Sequence, residues 1–311
     1  MSRAFVFPGQ GAQTIGMGRA LAETWPQAKA VFDEVDAALG EKLSALIWDG
    51  DIAELTLTRN AQPALMATSL ATIAALKAEG ITVENHATFV AGHSLGEYSA
   101  LCAAGALTLS DTARLLRLRG EAMQEAVPVG VGAMAALLGL DFEATKAVAE
   151  EAAQGEVCQA ANDNDPVQVV VSGHKAAVER AVEIAKSRGA KRALMLPVSA
   201  PFHCVLMQPA AARMAEALSA VVISKPVVPV VVNVRAEAVT EPDRIHDLLV
   251  AQITGSVRWR ESVLWMAGAG VTEFWEIGAG KALSGMIKRI VPDGATLRAI
   301  GTPEDIAALK A

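Results

Sequence analysis

The sequence predicts an α/β protein in which a mostly parallel sheet is covered by helices and a smaller module is inserted. Three observations lead to this prediction. Short apolar runs typical of buried strands alternate with longer helical segments at both ends of the 311-residue chain, which is the order found in layered α/β domains. One strand leads through a serine flanked by glycines directly into a helix. Between residues 127 and 199 the order of elements becomes that of a compact separate module.

Composition places the chain among globular proteins that bind neither membranes nor nucleic acids. Hydrophobic residues make up 52% and charged residues 20% of the sequence, enough apolar material for one large core or two smaller ones. No apolar run reaches the ~18 residues of a membrane span and the start does not resemble a signal peptide, so we expect a cytoplasmic protein. The net charge of −7, without a basic block, argues against nucleic-acid binding. Three dispersed cysteines are too few for a disulfide framework or zinc site, and we expect no metal and no cofactor.

The N-terminal third reads as a strand followed by helices. Residues 4–7 form an apolar strand that runs straight into Pro8-Gly9-Gln10-Gly11. Loops that leave buried strands are where α/β proteins place their sites. Helical periodicity then predicts helices over residues 18–39 and 62–79, with Pro63 in the first turn of the second.

The most informative segment is Gly92-His93-Ser94-Leu95-Gly96, which follows the apolar run 87–91 and precedes a helical segment. Strand, sharp turn and helix in this order are typical of the nucleophile elbow of hydrolase-like folds, which exposes a serine hydroxyl. Bulky side chains beside such a turn would clash with the adjoining strand and helix, and glycine at 92 and 96 avoids that clash. The segment therefore predicts Ser94 as a nucleophile on a hydrolase-like layered domain.

The middle of the chain has the element order of a ferredoxin-like module. The pattern predicts a βαββαβ unit, with strands over residues 133–140, 157–162, 168–172 and 192–198 and helices over residues 143–154 and 176–188. Segments rich in proline and glycine flank the unit, as expected at a domain junction. We therefore expect a ferredoxin-like subdomain at residues 127–199, inserted into a discontinuous large domain of residues 1–126 and 200–311. A cleft between the two is a favoured place for a ligand.

After residue 200 the α/β pattern resumes. It predicts helices over residues 203–220, 243–253 and 259–268 and strands over residues 227–233 and 272–277. Gly278-Ala279-Gly280 then begins another turn from strand to helix.

A serine hydroxyl needs a neighbouring base, and histidine has a suitable pKa. Of the five histidines, His203 is the best candidate, because it lies at the junction between the two expected domains. A lone histidine at a helix start is otherwise a capping or packing residue, and this alternative stays open. No acidic residue between Ser94 and His203 stands at an obvious strand-end loop. A backbone carbonyl could therefore orient the imidazole in place of the usual carboxylate.

Five motifs occur in the order found in one enzyme family. They are Phe7-Pro8-Gly9-Gln10-Gly11-Ala12-Gln13, Gln62-Pro63-Ala64-Leu65, Gly92-His93-Ser94-Leu95-Gly96-Glu97, Arg117-Leu118-Arg119-Gly120 and Pro201-Phe202-His203. Together they resemble malonyl-CoA:acyl carrier protein transacylases of bacterial fatty-acid synthesis and the related acyltransferase domains of polyketide synthases. The resemblance spans nearly the whole chain, and the architecture it implies agrees with the one predicted above.

The resemblance implies a ping-pong transfer of malonyl from coenzyme A, through Ser94, to the phosphopantetheine thiol of acyl carrier protein, with His203 as base and then acid. Each half-reaction forms an oxyanion that needs two hydrogen-bond donors. One is the backbone N–H of Leu95, which lies at the start of the elbow helix. The resemblance implies the backbone N–H of Gln10 as the other, and the alternative for Gln10 is an ordinary turn residue.

Three further roles are implied by the resemblance. Arg119 would bind the malonyl carboxylate by paired hydrogen bonds, although helical periodicity alone favours an exposed position. The backbone carbonyl of Gln252 would orient His203, the alternative being a glutamine on a helix surface. Phe202 would favour malonyl over its bulkier methyl-branched analogue by steric exclusion.

We expect a monomer that offers a basic surface to an acidic carrier protein. The candidate cations follow the elbow helix or lie near the C-terminus: Arg114, Arg117, Lys281, Lys288 and Arg289. A solvated helix face is the alternative for each of them.

Two other functions stay open, a serine esterase with the same nucleophile and a non-catalytic scaffold of similar fold. An esterase has no use for a buried Arg119, and a scaffold has none for intact Ser94 and His203.

Overall fold

The computed structural model describes residues 2–198 and 200–309. Its strands are β1 (Ser2–Phe7), β2 (Phe89–Gly92), β3 (Gly132–Leu138), β4 (Cys158–Asp165), β5 (Gln168–His174), β6 (Arg192–Met195), β7 (Val230–Val232), β8 (Glu237–Val239), β9 (Val271–Ile277) and β10 (Thr296–Ile300). Its α-helices are α1 (Arg19–Thr24), α2 (Pro26–Leu39), α3 (Leu43–Asp49), α4 (Ile52–Thr56), α5 (Thr58–Ala78), α6 (Val83–His86), α7 (Leu95–Ala103), α8 (Leu109–Glu125), α9 (Phe142–Ala153), α10 (Lys175–Ser187), α11 (Gln208–Ser219), α12 (Pro242–Thr254), α13 (Trp259–Gly268), α14 (Ala282–Ile290) and α15 (Pro303–Ala307). A 3₁₀ helix, Val205–Met207, precedes α11. In this described part, no helix has the length and apolar character needed to cross a bilayer.

Six strands form the main sheet in the order β10-β9-β1-β2-β7-β8. The first five are parallel to their neighbours, and β8 pairs antiparallel with β7 at one edge. Apolar cores cover both faces, a large one that includes α2, α5, α7 and α8 and a smaller one that includes α13 and α14. Because both faces are buried, β7 and the buried residues 4–7 of β1 are continuous apolar runs. The predicted α/β class with a mostly parallel sheet is confirmed.

Residues 132–195 build a second, four-stranded sheet in the order β4-β5-β3-β6, in which every neighbouring pair is antiparallel. Apolar side chains of α9 and α10 bury one face of β3 and β5. The opposite face carries Met134 and Val170, and Phe202 packs against it. This second face therefore forms a wall against the segment that leads to His203.

Strand β4 attaches the small sheet to the helices of the main sheet. The Asp163 N–H donates to the Val257 carbonyl at 2.9 Å, and the Val257 N–H donates back to β4 at 2.8 Å. The buried Asp163 carboxylate pairs with Arg260 of α13 at 2.9 Å. The buried Asp165 carboxylate pairs with Arg289 of α14 at 2.7 Å. Removing one partner of such a pair would leave an uncompensated buried charge, so this edge of the small sheet is firmly held.

Two N-terminal helices differ from the sequence prediction. The helix predicted over residues 18–39 is interrupted, because Trp25 is extended before Pro26, the conformation that a residue before proline prefers. The next predicted helix begins earlier than expected, at Thr58, so Pro63 lies inside α5 and not in its first turn.

Later elements differ in extent rather than in type. The strand predicted over residues 192–198 ends at Met195, and the predicted subdomain boundary at Ser199 lies outside the described residues. The helix predicted from residue 203 begins only at Gln208. Strands β8 and β10 and helix α15 were not predicted, since each is only three to five residues long and too short to show a clear period.

The turn between β2 and α7 carries the backbone strain of a nucleophile elbow. Ser94 has φ 54° and ψ −110°, which costs a residue other than glycine on the order of 1–3 kcal/mol. A Cβ atom on Gly92 would lie 1.9 Å from the carbonyl carbon of Gly96, and one on Gly96 would lie 2.2 Å from the Phe7 carbonyl oxygen. Asn233 holds the turn, since its Oδ1 accepts the Ser94 N–H at 2.8 Å and its Nδ2 donates to the Gly92 carbonyl at 2.7 Å. Close backbone approach and this amide together keep the serine in its strained conformation.

The elbow glycines should therefore be intolerant of a single methyl group. We expect Gly92→Ala to lower the free energy of unfolding in urea by about 3 kcal/mol, because the new Cβ overlaps backbone atoms that cannot move independently. Gly268→Ala is the matched control: Gly268 is the last residue of α13, and a Cβ there meets no atom within 4 Å. The control should change stability by less than about 1 kcal/mol. Equal losses in the two variants would contradict this account of the elbow.

Candidate active site

Ser94 and His203 form a hydrogen-bonded pair beyond the carboxyl end of β2. The Ser94 Oγ lies 2.8 Å from His203 Nε2, and His203 Nδ1 lies 3.0 Å from the carbonyl oxygen of Gln252. A carbonyl only accepts, so Nδ1 carries the proton and Nε2 accepts from the serine hydroxyl. Burial, and next the positive charge of Arg119, lower the pKa of His203 to about 3. The imidazole is therefore a neutral base.

His203 lies in a tight turn, not at the start of a helix as the sequence predicted. Its φ is 58°, in the left-handed region that few residues other than glycine occupy. The following Cys204 thiol donates to the Pro201 carbonyl at 3.2 Å, which closes the turn. Helix α11 begins at Gln208 with Pro209 in its first turn, where the missing N–H costs no hydrogen bond. The turn directs the imidazole toward Ser94.

Arg119 is 1% exposed and reaches Ser94 from α8. Its Nη2 donates to Ser94 Oγ at 3.1 Å and to Gln252 Oε1 at 2.9 Å, and its Nη1 donates to Gln62 Oε1 at 2.7 Å. All three acceptors are neutral, and the Nε–H is buried with no partner among the described residues. The helical pattern alone favoured an exposed arginine, but the structure places it inside. A buried guanidinium without a carboxylate partner is a strong binding group for an anion.

A chain of polar side chains links Arg119 to Gln10 in the loop after β1. The Thr58 hydroxyl donates to Gln10 Oε1 at 2.9 Å, and Gln62 Nε2 donates to that hydroxyl at 2.9 Å. Gln62 Oε1 then accepts from Arg119. The side chains of Gln10 and Arg119 are thus fixed relative to each other through the first turns of α5.

A second group of buried polar residues lies behind the Ser94–His203 pair. Gln252 is fully buried, and its Nε2 donates to Glu97 Oε2 at 2.9 Å and to the Ser94 carbonyl at 3.1 Å. Glu97 Oε2 also accepts the Asn233 N–H at 2.8 Å. The sequence interpretation gave no role to Glu97 or Asn233. Both had a positional signal, since Glu97 lies in the first turn of the elbow helix and Asn233 directly follows a buried strand.

A cavity of about 320 Å³ opens above the pair and lies between the two sheets. Six of the residues named from the sequence line it: Gln10, Ser94, Leu95, Arg119, Phe202 and His203. Met134 of β3 and Leu196, just after β6, line the side formed by the small sheet. The structure therefore brings the sequence-predicted site residues to one cavity, with Gln252 directly behind it.

The five cations named from the sequence do not form one open patch. Arg117 contacts Glu41 and Asn60 and is largely buried. Arg289 is paired with Asp165, and Arg114 contacts Asp111 at 3.3 Å. Lys281 and Lys288 are exposed at the two ends of α14. Spacing in the sequence could not show which cations already have acidic partners.

Comparisons with known proteins show the family of this chain. A family model described as acyl transferase domain matches residues 4–302. The chain belongs to the acyl transferase family. It is 51% identical over 304 residues to a malonyl CoA-acyl carrier protein transacylase of Bacillus subtilis, covering 97% of this chain and 94% of the relative. The Escherichia coli protein of the same name is 48% identical over 305 residues, covering 98% and 97%. These relatives confirm the resemblance read from the motifs, and the chain is an acyltransferase.

Solved structures of the family superpose closely. An acyl-carrier-protein-S-malonyltransferase from Bartonella henselae has a TM-score of 0.97 at 55% identity, covering 99% of this chain and 98% of that one. A structure described as a type II PKS acyl-carrier protein in complex with its malonyl-transacylase has a TM-score of 0.95 at 42% identity, covering 99% and 98%. The mixed α/β fold is therefore that of the family.

The lowered pKa of His203 predicts how stability depends on pH. Between the ordinary value of 6.5 and the folded value of about 3, only the unfolded chain binds the extra proton. The contribution of His203 to the free energy of unfolding should therefore fall as pH drops below about 6.5, by up to about 1.4 kcal/mol per pH unit for one such group. Glu97, whose pKa burial raises to about 7, acts in the opposite direction, so the His203 contribution is the difference between the wild type and a variant without this imidazole. Asn tolerates a positive φ, so His203→Asn should fold and lose this contribution. Urea unfolding at pH 7 and pH 5 measures it.

The buried His93, whose pKa is also lowered by burial, keeps its own contribution in that variant. We therefore expect a smaller pH dependence in His203→Asn, not its absence. His246→Asn is the control, because His246 lies partly exposed on α12 beside Asp247, and it should keep the wild-type dependence. An unchanged slope in His203→Asn would show that the imidazole is not held neutral by the fold.

Proposed function

We propose that the chain transfers malonyl from coenzyme A to the phosphopantetheine thiol of an acyl carrier protein, by a ping-pong mechanism through malonyl-Ser94. The observation that carries the proposal is the placement of Arg119, a buried cation without a carboxylate partner, 3.1 Å from the hydroxyl that contacts His203. A nucleophile and base alone would serve any acyl group. The fixed cation beside them selects an acyl group that ends in an anion. The names of the relatives, and the carrier protein bound in one solved complex, support the same reaction.

In the first half-reaction the Ser94 hydroxyl gives its proton to His203 Nε2, and its oxygen attacks the thioester carbonyl carbon of malonyl-CoA. The Gln252 carbonyl, which accepts from Nδ1, stabilises the imidazolium that forms, the part a carboxylate takes in a Ser-His-Asp triad. The tetrahedral intermediate collapses by breaking the carbon–sulfur bond. The departing thiolate of coenzyme A takes the proton from His203, which leaves a malonyl ester on Ser94.

The oxyanion of each tetrahedral intermediate needs two donors that are already in place. Leu95 is the first residue of α7, so its backbone N–H has no acceptor within the helix and lies at the positive end of the helix dipole. We assign the second donor to the backbone N–H of Gln10, whose side chain is tied to Thr58 and whose residue lines the cavity.

In the second half-reaction the thiol of the carrier's phosphopantetheine gives its proton to His203 and attacks the ester carbonyl. A second oxyanion forms at the same two donors and collapses by breaking the bond to Ser94 Oγ. That oxygen recovers the proton from His203, and the malonyl thioester leaves on the carrier. The enzyme returns to its starting protonation state.

Arg119 would bind the malonyl carboxylate during both half-reactions. Only two carbon atoms separate the malonyl carboxylate carbon from Ser94 Oγ, and Arg119 Nη2 is 3.1 Å from that oxygen. The unpartnered Nε–H is a donor that a carboxylate can satisfy, and a second N–H can complete a two-point interaction. Phe202, which lines the cavity, would disfavour a methyl branch, a preference worth about 1–3 kcal/mol.

The two-sheet architecture supports a hydrolase-like domain of residues 1–126 and 200–311 with a ferredoxin-like insertion at residues 127–199. The βαββαβ order and the sheet order β4-β5-β3-β6 are those of a ferredoxin-like unit. For the carrier protein we retain Lys281 and Lys288 as docking cations, because both are exposed, whereas Arg117 and Arg289 are engaged by Glu41 and Asp165.

Mass spectrometry after brief exposure to malonyl-CoA tests the covalent intermediate. We expect one malonyl group on the peptide that contains Ser94, because the hydroxyl is already bonded to a neutral base. Ser94→Ala should show none. Addition of holo carrier protein should remove the adduct within one turnover. A wild-type enzyme that transfers malonyl without ever forming this adduct would contradict the ping-pong mechanism.

Substitution of Arg119 tests recognition of the carboxylate. For Arg119→Ala we expect the ratio of kcat/KM for malonyl-CoA to that for acetyl-CoA to fall about 100-fold, since two charge-assisted hydrogen bonds are lost only with malonyl. Arg117→Ala is the matched control. Arg117 lies on the same helix, but its guanidinium faces Glu41 and not the cavity. Equal losses on both substrates in Arg119→Ala would show that this arginine does not bind the carboxylate.

A further inference from the structure

Glu97 is a buried acid for which the transfer mechanism above has no use. It is the third residue of α7, and its carboxylate is fully buried behind the Ser94–His203 pair. Oε2 accepts from the Asn233 N–H at 2.8 Å and from Gln252 Nε2 at 2.9 Å. Oε1 has no hydrogen-bond partner among the described residues. A buried carboxylate that accepts hydrogen bonds at only one oxygen lowers the stability of the fold unless its charge interacts with another group.

The amide of Gln252 lies between Glu97 and Arg119. Its Oε1 accepts from Arg119 Nη2 at 2.9 Å, while its Nε2 donates to Glu97. A guanidinium only donates and Oε2 accepts from two groups, so only this orientation of the amide satisfies both neighbours. The amide therefore connects the buried cation and the buried anion, which make no direct ion pair. The same residue's backbone carbonyl accepts from His203.

Among the described residues of the site, no other charged group compensates Arg119 in the absence of substrate. Its three acceptors, on Gln62, Ser94 and Gln252, are neutral. Tyr98 beside Glu97 on α7 is neutral, since burial raises its pKa to about 12. The imidazoles of His93 and His203 are neutral as well, because burial lowers the pKa of both. Glu97 is thus the anion whose charge acts on Arg119.

We propose that Glu97 is a positioning residue that supplies the counter-charge of Arg119 through the Gln252 amide and takes up a proton when the substrate's carboxylate binds. The inference rests on the proposed function, because it needs a carboxylate at Arg119. Two carboxylates competing for one buried cation cannot both stay charged at low cost. The proton comes from solvent and adds to the carboxylate of Glu97, with no covalent bond between heavy atoms made or broken. Binding of malonyl-CoA is then linked to proton uptake, and binding of acetyl-CoA is not.

The environment of Glu97 brings this proton uptake into the pH range of ordinary enzyme assays. Burial raises the pKa of its carboxyl group to about 7, opposed by the hydrogen bonds from Asn233 and Gln252 and by the charge of Arg119. At pH 7 about half of the free enzyme carries an ionised Glu97. A second anion at Arg119 raises this pKa further, so the KM for malonyl-CoA should rise as pH increases through about 7.

Calorimetry on the Ser94→Ala enzyme tests the proposal, because binding occurs without acyl transfer. Titrations in two buffers of different ionisation enthalpy give the number of protons taken up per ligand bound. We expect about half a proton more for malonyl-CoA than for acetyl-CoA at pH 7, rising toward one at pH 8. The difference between the ligands cancels the titration of the coenzyme A phosphates, which both carry.

Three variants in the Ser94→Ala background identify the group that takes the proton. Glu97→Gln keeps an acceptor oxygen for Asn233 and Gln252 but cannot ionise, so the difference between the ligands should vanish. Glu97→Asp keeps an acid and should retain a difference. Glu276→Gln is the matched control, because Glu276 is also fully buried and accepts two backbone N–H groups, at the start of α14. It should keep the wild-type difference.

An unchanged proton difference in Glu97→Gln would overturn the proposal, as would the absence of any difference in the parent enzyme. If Glu97→Gln does not fold, the parent titration and the Glu97→Asp variant still decide the question. Failure of the proposed function has a different result, since malonyl-CoA would then bind the Ser94→Ala enzyme no more tightly than acetyl-CoA. In the active enzyme, the rise of the malonyl-CoA KM with pH should be absent from Glu97→Gln.

Discussion

The strained backbone at Ser94 is the constraint on which the rest of the site depends. A serine with φ 54° is stable only where its surroundings leave no other conformation, and here three strands supply those surroundings. Gly92 ends β2, Gly96 lies directly against the Phe7 carbonyl of β1, and Asn233 follows β7 and bonds to the turn on both sides of His93. The parallel sheet brings these strand ends together, so the sheet order itself holds Ser94 above its edge.

Polar groups buried behind the serine join Ser94, His203 and Arg119 in one network of hydrogen bonds. Gln252 accepts from His203 with its backbone carbonyl and from Arg119 with its side chain, while Glu97 bonds to Gln252 and Asn233 bonds to the elbow. In the low dielectric of the interior these hydrogen bonds are strong, but each unpartnered atom is costly. The two unpartnered atoms of this network, Arg119 Nε and Glu97 Oε1, belong to its cation and its anion. Both are the groups that a charged acyl group would affect.

The second sheet makes the site a cavity rather than an exposed elbow. Met134 and Leu196 bring an apolar wall over Ser94, and the ion pairs of β4 with α13 and α14 hold that wall in place. An acyl ester that waits for a thiol must avoid water, and an enclosed apolar wall favours this by limiting access. The segment after β6 also carries His203, so the base and the wall reach Ser94 along the same stretch of chain.

Short-range patterns in the sequence determined the fold class, the elbow and the element order of the small sheet. Apolar runs, glycine positions and helical periods depend on neighbours a few residues away, and these residues are adjacent in the printed chain. The motifs were equally local, which is why Ser94, His203 and Arg119 could be named before the structure was known. Even there the local signal was incomplete, since periodicity favoured an exposed Arg119 and a helix at His203.

Only the tertiary structure decided what lies between those residues. Asn233 is 139 positions from Ser94, and Gln252 is 155 positions from Glu97, so no periodicity could join them. Arg289 pairs with Asp165 from 124 positions away, an acidic partner that spacing in the sequence could not show. A buried polar contact depends on the packing of distant elements, and its energy comes from desolvation that exists only once the chain has folded. The elbow serine could therefore be predicted from the chain, and the charge balance around it could not.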